Sequence, residues 1–170
     1  PILPVAGDLL SSQCPRSWPN GQLAYLVYTA SASQHDEQGY HQAYVEGLRN
    51  ALGWLDERGQ QPRRLVFLSS TSVYGQNQGE WIDETSPTEP SGFTGQVMLE
   101  AEQVALNSGL PATVVRMGGL YDPVRPWLQN QIRAGLRVGR EPPQFSNRIH
   151  RDDAAGLLAS PAETAAFAAS

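Results

Sequence analysis

The stretch RLVFLSSTSVYG, residues 64–75, decides the fold of this chain. Its first half, Arg64–Ser69, is an apolar run without glycine or proline, which is typical of a β-strand buried on both faces. Hydroxyl-bearing residues follow without a break from Ser69 to Ser72, and such side chains commonly satisfy backbone groups where a strand ends. The stretch therefore predicts a buried strand that opens into a polar loop.

Strand-like and helix-like segments alternate on both sides of this stretch. Apolar residues at three- and four-residue spacing predict a helix over Tyr40–Glu57, which Gly59 is placed to end, and a second helix through Val97–Ala105 that stops near Gly109. Alternation of this kind predicts an α/β fold, a doubly wound parallel sheet with helices on both faces. The other predicted elements are a short strand at Ile2–Val5, a buried strand at Leu23–Thr29, a further strand at Ala112–Met117, and a helix at Pro126–Arg137.

Polar and small residues follow each predicted strand. In doubly wound sheets, ligands bind beyond the carboxyl ends of the strands. Candidate ligand-binding residues therefore lie in four places, at Asp8, Thr29–Ala32, Ser69–Gly75 and Met117–Asp122.

Composition excludes several classes of function. The 170 residues suffice for one domain with a sizeable core, and 40% hydrophobic against 17% charged residues is typical of a soluble globular chain. No apolar run is long enough to cross a membrane and no cleavable signal sequence is recognisable, so a cytoplasmic protein is expected. The net charge of -5 argues against nucleic-acid binding, and the three histidines and single Cys14 show no metal-ligand spacing.

Lysine is absent: all 12 basic residues are arginine. Schiff-base chemistry and a phosphate-binding loop lysine are therefore excluded for these residues. Arg116 and Arg148 could each hold a phosphate or carboxylate bidentately, or could form ion pairs with Glu84, Asp152 or Asp153.

The chain resembles the extended short-chain dehydrogenase/reductase superfamily, in particular its NAD-dependent epimerase/dehydratase group. Eight motifs, which occur in the expected order along the sequence, carry this resemblance. The resemblance covers residues 2 to about 158 and implies a Rossmann-like domain that binds NAD or NADP. It further implies a small-molecule substrate such as a nucleotide sugar, with no nucleic acid or membrane as partner. The motifs are PVAGDL (4–9), TASA (29–32), AYVEGLRN (43–50), SSTSVYG (69–75), DETSPTEP (83–90), LEAEQ (99–103), RMGGLYDP (116–123) and NRIHRDDAA (147–155).

The resemblance also implies roles for individual residues. Asp8 would bind the adenine amine with Leu9 beside the ring, and Ser70 would hydrogen-bond the substrate oxygen during hydride transfer. Thr71 and Arg148 are implied as substrate-binding residues. The remaining implied cofactor-binding residues are Thr29, Ala30, Ser31, Ser69, Gly118, Gly119 and Tyr121.

The family's catalytic Tyr-x-x-x-Lys pair has no counterpart here. Aligning on Glu102 puts Thr94 and Met98 at those positions, whereas aligning on Phe93 puts Val97 at the lysine position. This resembles an atypical branch of the superfamily. His150 could then act as acid or base, since histidine titrates near neutral pH, or it could be a structural hydrogen-bonding residue; Tyr74 and Tyr121 are the rival proton donors.

Other expectations follow from the resemblance. The glycine-rich turn of the first βαβ unit and the C-terminal small domain are not found, so residues 1–158 are expected to be part of a Rossmann-like domain, with 159–170 unassigned. Helices near 40–57 and 95–107 are expected to form a homodimer interface, since Trp54, Met98 and Leu99 extend their apolar surfaces. A non-catalytic NAD(P) sensor and a scaffold are the alternatives to an enzyme.

Overall fold

The computed structural model describes residues 2–124, 127–135, 137 and 145–163. Its centre is a parallel sheet of three strands in the order β1-β2-β3, with β1 at Tyr25–Tyr28, β2 at Arg64–Ser70 and β3 at Ala112–Met117. The sheet is parallel because each strand is followed by a helical crossover that returns the chain to the same end. β3 matches the predicted strand, and β2 is one residue longer than predicted.

The first crossover is helical from residue 37 to residue 57. It runs through α1 (Glu37–Tyr40), a π-helical segment (His41–Glu46) and α2 (Gly47–Glu57). Asp36 caps its start, where the carboxylate accepts a hydrogen bond from the Gly39 amide at 2.7 Å. Gly59 follows the helix with a φ of +59° and so ends it as predicted.

The second crossover is α3, Phe93–Leu106, which packs with α2 on one face of the sheet. The core between them contains Leu48 and Trp54 from α2, Phe67 from β2, and Met98 and Ala101 from α3. Val66 points to the opposite face of β2 and is also fully buried. Buried side chains therefore lie on both faces of the central sheet.

The opposite face is covered by α5, Arg151–Glu163, which contacts β2 and β3 and buries Ala154. A two-stranded parallel sheet, β4 (Gly119–Tyr121) with β5 (Arg148–His150), leads into α5. The short helix α4, Trp127–Arg133, lies between these strands in the sequence. Helices on both faces of a parallel sheet confirm the doubly wound α/β class.

Three of the predicted elements differ from the structure. Ile2–Val5 is not a strand: no described strand pairs with it, and Ile2 is 96% exposed. β1 is shorter than predicted and is not buried on both faces. Tyr25 and Val27 lie on the same face as Val66, and α5, which contacts β2 and β3, leaves them exposed. The helix predicted at Pro126–Arg137 is confined to α4, and Pro126 lies outside the described residues.

The boundary predicted at residue 158 falls within α5, so the helix continues past it. The division at residue 158 remains a prediction, and residues 164–170 lie outside the described part of the chain.

Candidate functional site

The carboxyl ends of β2 and β3 lie side by side, with Ser69 opposite Arg116 and Ser70 opposite Met117. Residues that follow these strands therefore share one edge of the sheet. This is the edge at which a doubly wound fold binds its ligands.

The hydroxyls at the end of β2 have different local partners. The Ser70 hydroxyl oxygen accepts a hydrogen bond from the Ser72 amide at 3.1 Å and so caps the single 3₁₀ turn Thr71–Val73. The Thr71 hydroxyl donates to the Asn147 side-chain carbonyl at 3.2 Å. Both side chains are half-buried. The second bond ties the end of β2 to the residue before β5.

Gly118 and Gly119 permit a close approach of the β5 segment. A Cβ on Gly118 would lie 2.7 Å from the Asn147 side-chain oxygen, and one on Gly119 would lie 2.7 Å from the Arg148 guanidinium. The Gly119 amide donates to the Asn147 backbone carbonyl at 3.1 Å. The glycine pair therefore packs β4 against β5, and its implied cofactor contact remains a prediction.

His150 and Tyr121 meet across the β4–β5 pair. Their ring centroids are 5.3 Å apart at 76°, an edge-to-face contact. The Asp152 amide donates to His150 Nδ1 at 3.3 Å, which places the proton of the neutral ring on Nε2. The Asp152 carboxylate lies 3.8 Å from the same Nδ1, where it can stabilise a protonated ring.

A buried polar network lies beneath this edge. Glu102 of α3 is 2% exposed. Its carboxylate accepts hydrogen bonds from the Ser69 hydroxyl at 2.6 Å and from Arg116 at 2.9 and 2.8 Å. These bonds to Glu102 are the main reason that the pKa of Arg116 is raised.

Arg116 therefore forms an ion pair, but with Glu102 rather than with Glu84, Asp152 or Asp153 as expected. The sequence contains an indication of the Arg116–Glu102 pair, although the pair was not predicted. Glu102 continues the buried stripe of Met98, Ala101 and Ala105 on α3, and a carboxylate in such a stripe needs a buried cation.

Tyr74 extends this network toward the surface. Its hydroxyl accepts a hydrogen bond from Arg116 at 3.1 Å and donates to the Asp83 backbone carbonyl at 2.9 Å. The Arg116 guanidinium also lies 5.2 Å from the centre of the Tyr74 ring. A catalytic role for Tyr74 remains a prediction, and its hydroxyl is already hydrogen-bonded to two protein groups.

The predicted adenine-binding residues lie in the N-terminal loop. Exposed Asp8 lines a cleft of about 440 Å³ together with Cys14 and Arg16. Asp8 Oδ1 accepts from the Leu10 amide at 2.9 Å. The Leu9 side chain packs against the core, and its carbonyl accepts from Asn50 at 2.7 Å. The loop is thereby fixed to α2 at the residue next to Asp8.

This loop lies close to the carboxyl end of β1. A Cβ on Gly47 would meet both the Tyr28 hydroxyl, at 2.5 Å, and Leu9 Cβ, at 3.4 Å. Thr29 and Ser31 follow Tyr28 and are exposed, whereas Ala30 packs against the core. Leu9 thus lies near Tyr28, whereas the residues that line the Asp8 cleft do not include Thr29, Ala30 or Ser31. The predicted substrate-side residues lie at β2 and β5.

The positions aligned with the catalytic pair are not equivalent in the structure. Thr94 is half-buried in the first turn of α3, while Val97 and Met98 are 6% and 3% exposed and pack in the core. A lysine at either core position would have to bury its ammonium group, which is costly without a partner.

Two of the residues expected at a dimer interface are buried inside the chain. Trp54 and Met98 are 2% and 3% exposed, so neither can contribute to a surface, whereas Leu99 is half-buried. The homodimer remains a prediction, and its interface would have to use other side chains.

Two structural absences hold for the described part of the chain. Of the helices described there, none is long and apolar enough to span a bilayer. Residues 2–124, 127–135, 137 and 145–163 also contain no cluster of three or more histidine, cysteine or acidic side chains suited to a metal ion.

Comparison with known proteins identifies the family. The model of the NAD dependent epimerase/dehydratase family matches residues 22–154. Protein YeeZ of Escherichia coli strain K12 is 33% identical over 134 residues, which are 78% of this chain and 45% of that protein. The chain therefore spans less than half the length of this curated relative.

Solved structures agree with this assignment. A candidate NAD-dependent epimerase/dehydratase from Methylobacillus flagellatus is 36% identical with a TM-score of 0.61, over 85% of this chain and 50% of that chain. MoeE5, solved with UDP-glucose and NAD, is 23% identical with a TM-score of 0.69 over 85% and 54%, which shows a shared fold. The chain belongs to the NAD-dependent epimerase/dehydratase family.

Proposed function

We propose that this chain is part of an NAD(P)-dependent oxidoreductase or epimerase that interconverts a hydroxyl-bearing carbon and the corresponding carbonyl carbon by hydride transfer, with a nucleotide sugar as the substrate class. The observation that carries the proposal is the placement of Ser70 and Thr71 at the carboxyl end of β2, where the Thr71–Asn147 hydrogen bond joins them to the segment that leads through β5 to His150. Family membership and the NAD and UDP-glucose bound to MoeE5 support it.

The residues present fit the adenine half of a dinucleotide. Asp8 lines an open cleft with a carboxylate that can accept from an adenine amine, and Thr29 and Ser31 offer exposed hydroxyls after β1. NAD(P) would supply the hydride acceptor or donor. The chain's own contribution is to bind and orient the adenosine and to fix the substrate oxygen.

Ser70 and His150 are proposed to act on that oxygen. The Ser70 hydroxyl oxygen accepts from the Ser72 amide, so its proton is directed elsewhere and can be donated to a substrate oxygen. His150 would take up or release the substrate proton at Nδ1, in place of the hydrogen bond that this nitrogen accepts from the Asp152 amide. The Asp152 carboxylate, 3.8 Å from Nδ1, would stabilise the protonated ring.

Calorimetry on the full-length protein tests cofactor binding. NAD⁺ and NADP⁺ are titrated into the wild type, Asp8→Ala and the matched surface control Glu57→Ala. Losing one hydrogen bond to a charged group costs about 1.5–3 kcal/mol, so Asp8→Ala should weaken binding roughly 10- to 100-fold. Glu57→Ala should bind like the wild type. No heat with either nucleotide would contradict the proposal.

The acid–base role of His150 is tested by His150→Gln, which retains hydrogen bonding but cannot titrate. If His150 transfers the proton, turnover should fall by roughly 10²–10⁴ with cofactor affinity unchanged. An unchanged rate would make His150 structural.

A non-catalytic NAD(P) sensor is the second candidate. Two observations favour it: the chain contains no lysine, and Thr94 and Met98 align with the catalytic pair. NAD(P) binding without turnover across a panel of nucleotide sugars would favour the sensor over the enzyme.

A further inference from the structure

The segment between Gly75 and Glu89 is an Ω-loop closed at its neck. A Cβ on Gly75 would overlap the Glu89 backbone carbonyl, so the two ends of the loop are in contact. The Gln76 side-chain amide donates to the Pro87 carbonyl at 3.2 Å, just inside the neck. Compact loops of this kind are frequently functional. This one leaves the carboxyl end of β2 directly after the 3₁₀ turn.

The tip of the Ω-loop is ordered by its own hydrogen bonds. Asp83 Oδ1 accepts from the Thr85 hydroxyl at 2.8 Å, the Thr85 amide at 2.9 Å and the Ser86 hydroxyl at 3.1 Å. These bonds, led by the one from the Thr85 side chain, lower the pKa of Asp83. Trp81 lies two positions before Asp83 and is 99% exposed. The loop therefore holds a defined shape while presenting an aromatic side chain to solvent.

Tyr74 connects this tip to the buried network. Its hydroxyl donates to the Asp83 carbonyl and accepts from Arg116. Arg116 is held in turn by its two hydrogen bonds to buried Glu102, which also accepts from Ser69. The hydrogen-bonded chain thus begins one residue from Ser70 and ends at the tip of the loop.

The charge of Arg116 is already neutralised by Glu102, which disfavours direct phosphate binding by this guanidinium. Its remaining contact is with Tyr74. The fork geometry of a guanidinium allows it to bind the carboxylate with one edge and the phenol oxygen with the other, which a lysine could not do. The contacts made by Arg116 therefore suit a structural role, in which it supports Tyr74.

We propose that Tyr74, supported by Arg116, is a positioning residue that holds the Ω-loop at the carboxyl edge of the sheet, and that the position of the loop sets the affinity for the nucleotide-sugar substrate. The substrate half of this statement rests on the proposed function. The positioning half rests only on the hydrogen bonds of the folded chain. Tyr74 then acts through the loop and does not transfer a proton.

Hydrogen exchange measured by mass spectrometry tests the positioning half. Tyr74→Phe removes the hydroxyl and keeps the ring, and Tyr25→Phe is the matched control because Tyr25 lies at the amino end of β1. Losing one ordinary hydrogen bond should speed amide exchange in peptides from 75–89 roughly two- to tenfold, while β2 peptides stay unchanged. Unchanged loop exchange in Tyr74→Phe would overturn the proposal whatever the activity.

UDP-glucose in the presence of NAD⁺ is the probe for the substrate half. In Tyr74→Phe its Kd, or its KM where it is turned over, should rise roughly two- to tenfold, with kcat within about twofold of the wild type. NAD⁺ affinity should be unchanged, and Tyr25→Phe should match the wild type throughout.

The outcomes separate the two proposals. A fall in kcat of about 100-fold at constant KM would make Tyr74 a proton donor and overturn the positioning role. Faster loop exchange with unchanged UDP-glucose affinity, or no interaction with UDP-glucose at all, would overturn the substrate half alone. Absence of NAD(P) binding would refute the proposed function, while hydrogen exchange would still decide whether Tyr74 positions the loop.

Discussion

Removing the Glu102 carboxylate should destabilise the fold more than removing any exposed acid. Glu102 is 2% exposed and accepts three hydrogen bonds, two of them from Arg116, whose side chain is 23% exposed. Glu102→Ala leaves a largely buried guanidinium and the Ser69 hydroxyl without their acceptor. Breaking a buried ion pair in this way costs about 3–5 kcal/mol, a large part of the roughly 5–15 kcal/mol that stabilises a typical domain.

Urea denaturation followed by circular dichroism measures this loss. At an m-value of about 2 kcal/mol per molar urea, the midpoint should fall by roughly 1.5–2.5 M. Glu100→Ala on the same helix is the matched control: its partner Arg49 lies at 3.1 Å, but both side chains are about half exposed, so the change should be about 0–1 kcal/mol.

Two further variants keep the test decisive where Glu102→Ala fails to fold. Glu102→Gln retains the side-chain volume and should lose less stability than Glu102→Ala. The double variant with Glu102→Leu and Arg116→Met replaces both charges by apolar groups and should recover much of the loss. A strong Glu102–Arg116 pair is ruled out if the stability of Glu102→Ala lies within about 1 kcal/mol of that of Glu100→Ala, because breaking such a pair should give a clear difference.

Two more predictions concern packing and ionisation. Burial raises the pKa of Tyr28 to about 12 from 10.0, so stability should be full below pH 10 and fall by about 2–3 kcal/mol between pH 10 and 12. Tyr28→Phe should show a smaller alkaline loss in urea titrations at pH 8 and pH 11.5; equal losses would contradict the assignment. Gly95→Ala should lower the Tm because its Cβ would overlap the Ser72 carbonyl, whereas Gly53→Ala, in open space on α2, should raise stability by about 0.5–1 kcal/mol; the same response from both would contradict this.

The sequence predicted the elements that periodicity and sharp end signals define. β3 was predicted at Ala112–Met117, where the structure has it, and α3 was predicted to stop before Gly109. β1 shows the limit of this approach. An apolar run looks the same whether one or both faces are covered, and the exposure of Val27 depends on which elements pack against the sheet.

The π-helical segment and the short strands β4 and β5 were not predicted, because their causes are tertiary. The Tyr28 hydroxyl donates to the Ala43 carbonyl at 2.6 Å, which gives a carbonyl in the π-helical segment a partner from outside the helix. β4 and β5 form only because the glycines after β3 let residues 147 and 148 approach. Neither the Tyr28–Ala43 hydrogen bond nor the close approach of residues 147 and 148 produces a periodic pattern of apolar residues from which it could be predicted.

Ser69 and Ser70 show how far strand-end reasoning can identify a site. Successive side chains of a strand point to opposite faces, so Ser69 shares the helix-packed face of Leu65 and Phe67. Its hydroxyl meets Glu102 there, at 2.6 Å. Because that hydroxyl is buried and committed, any contact of Ser69 with a cofactor would have to come from its backbone. Ser70 has the opposite orientation and is half-buried, which leaves it the better placed of the two for chemistry.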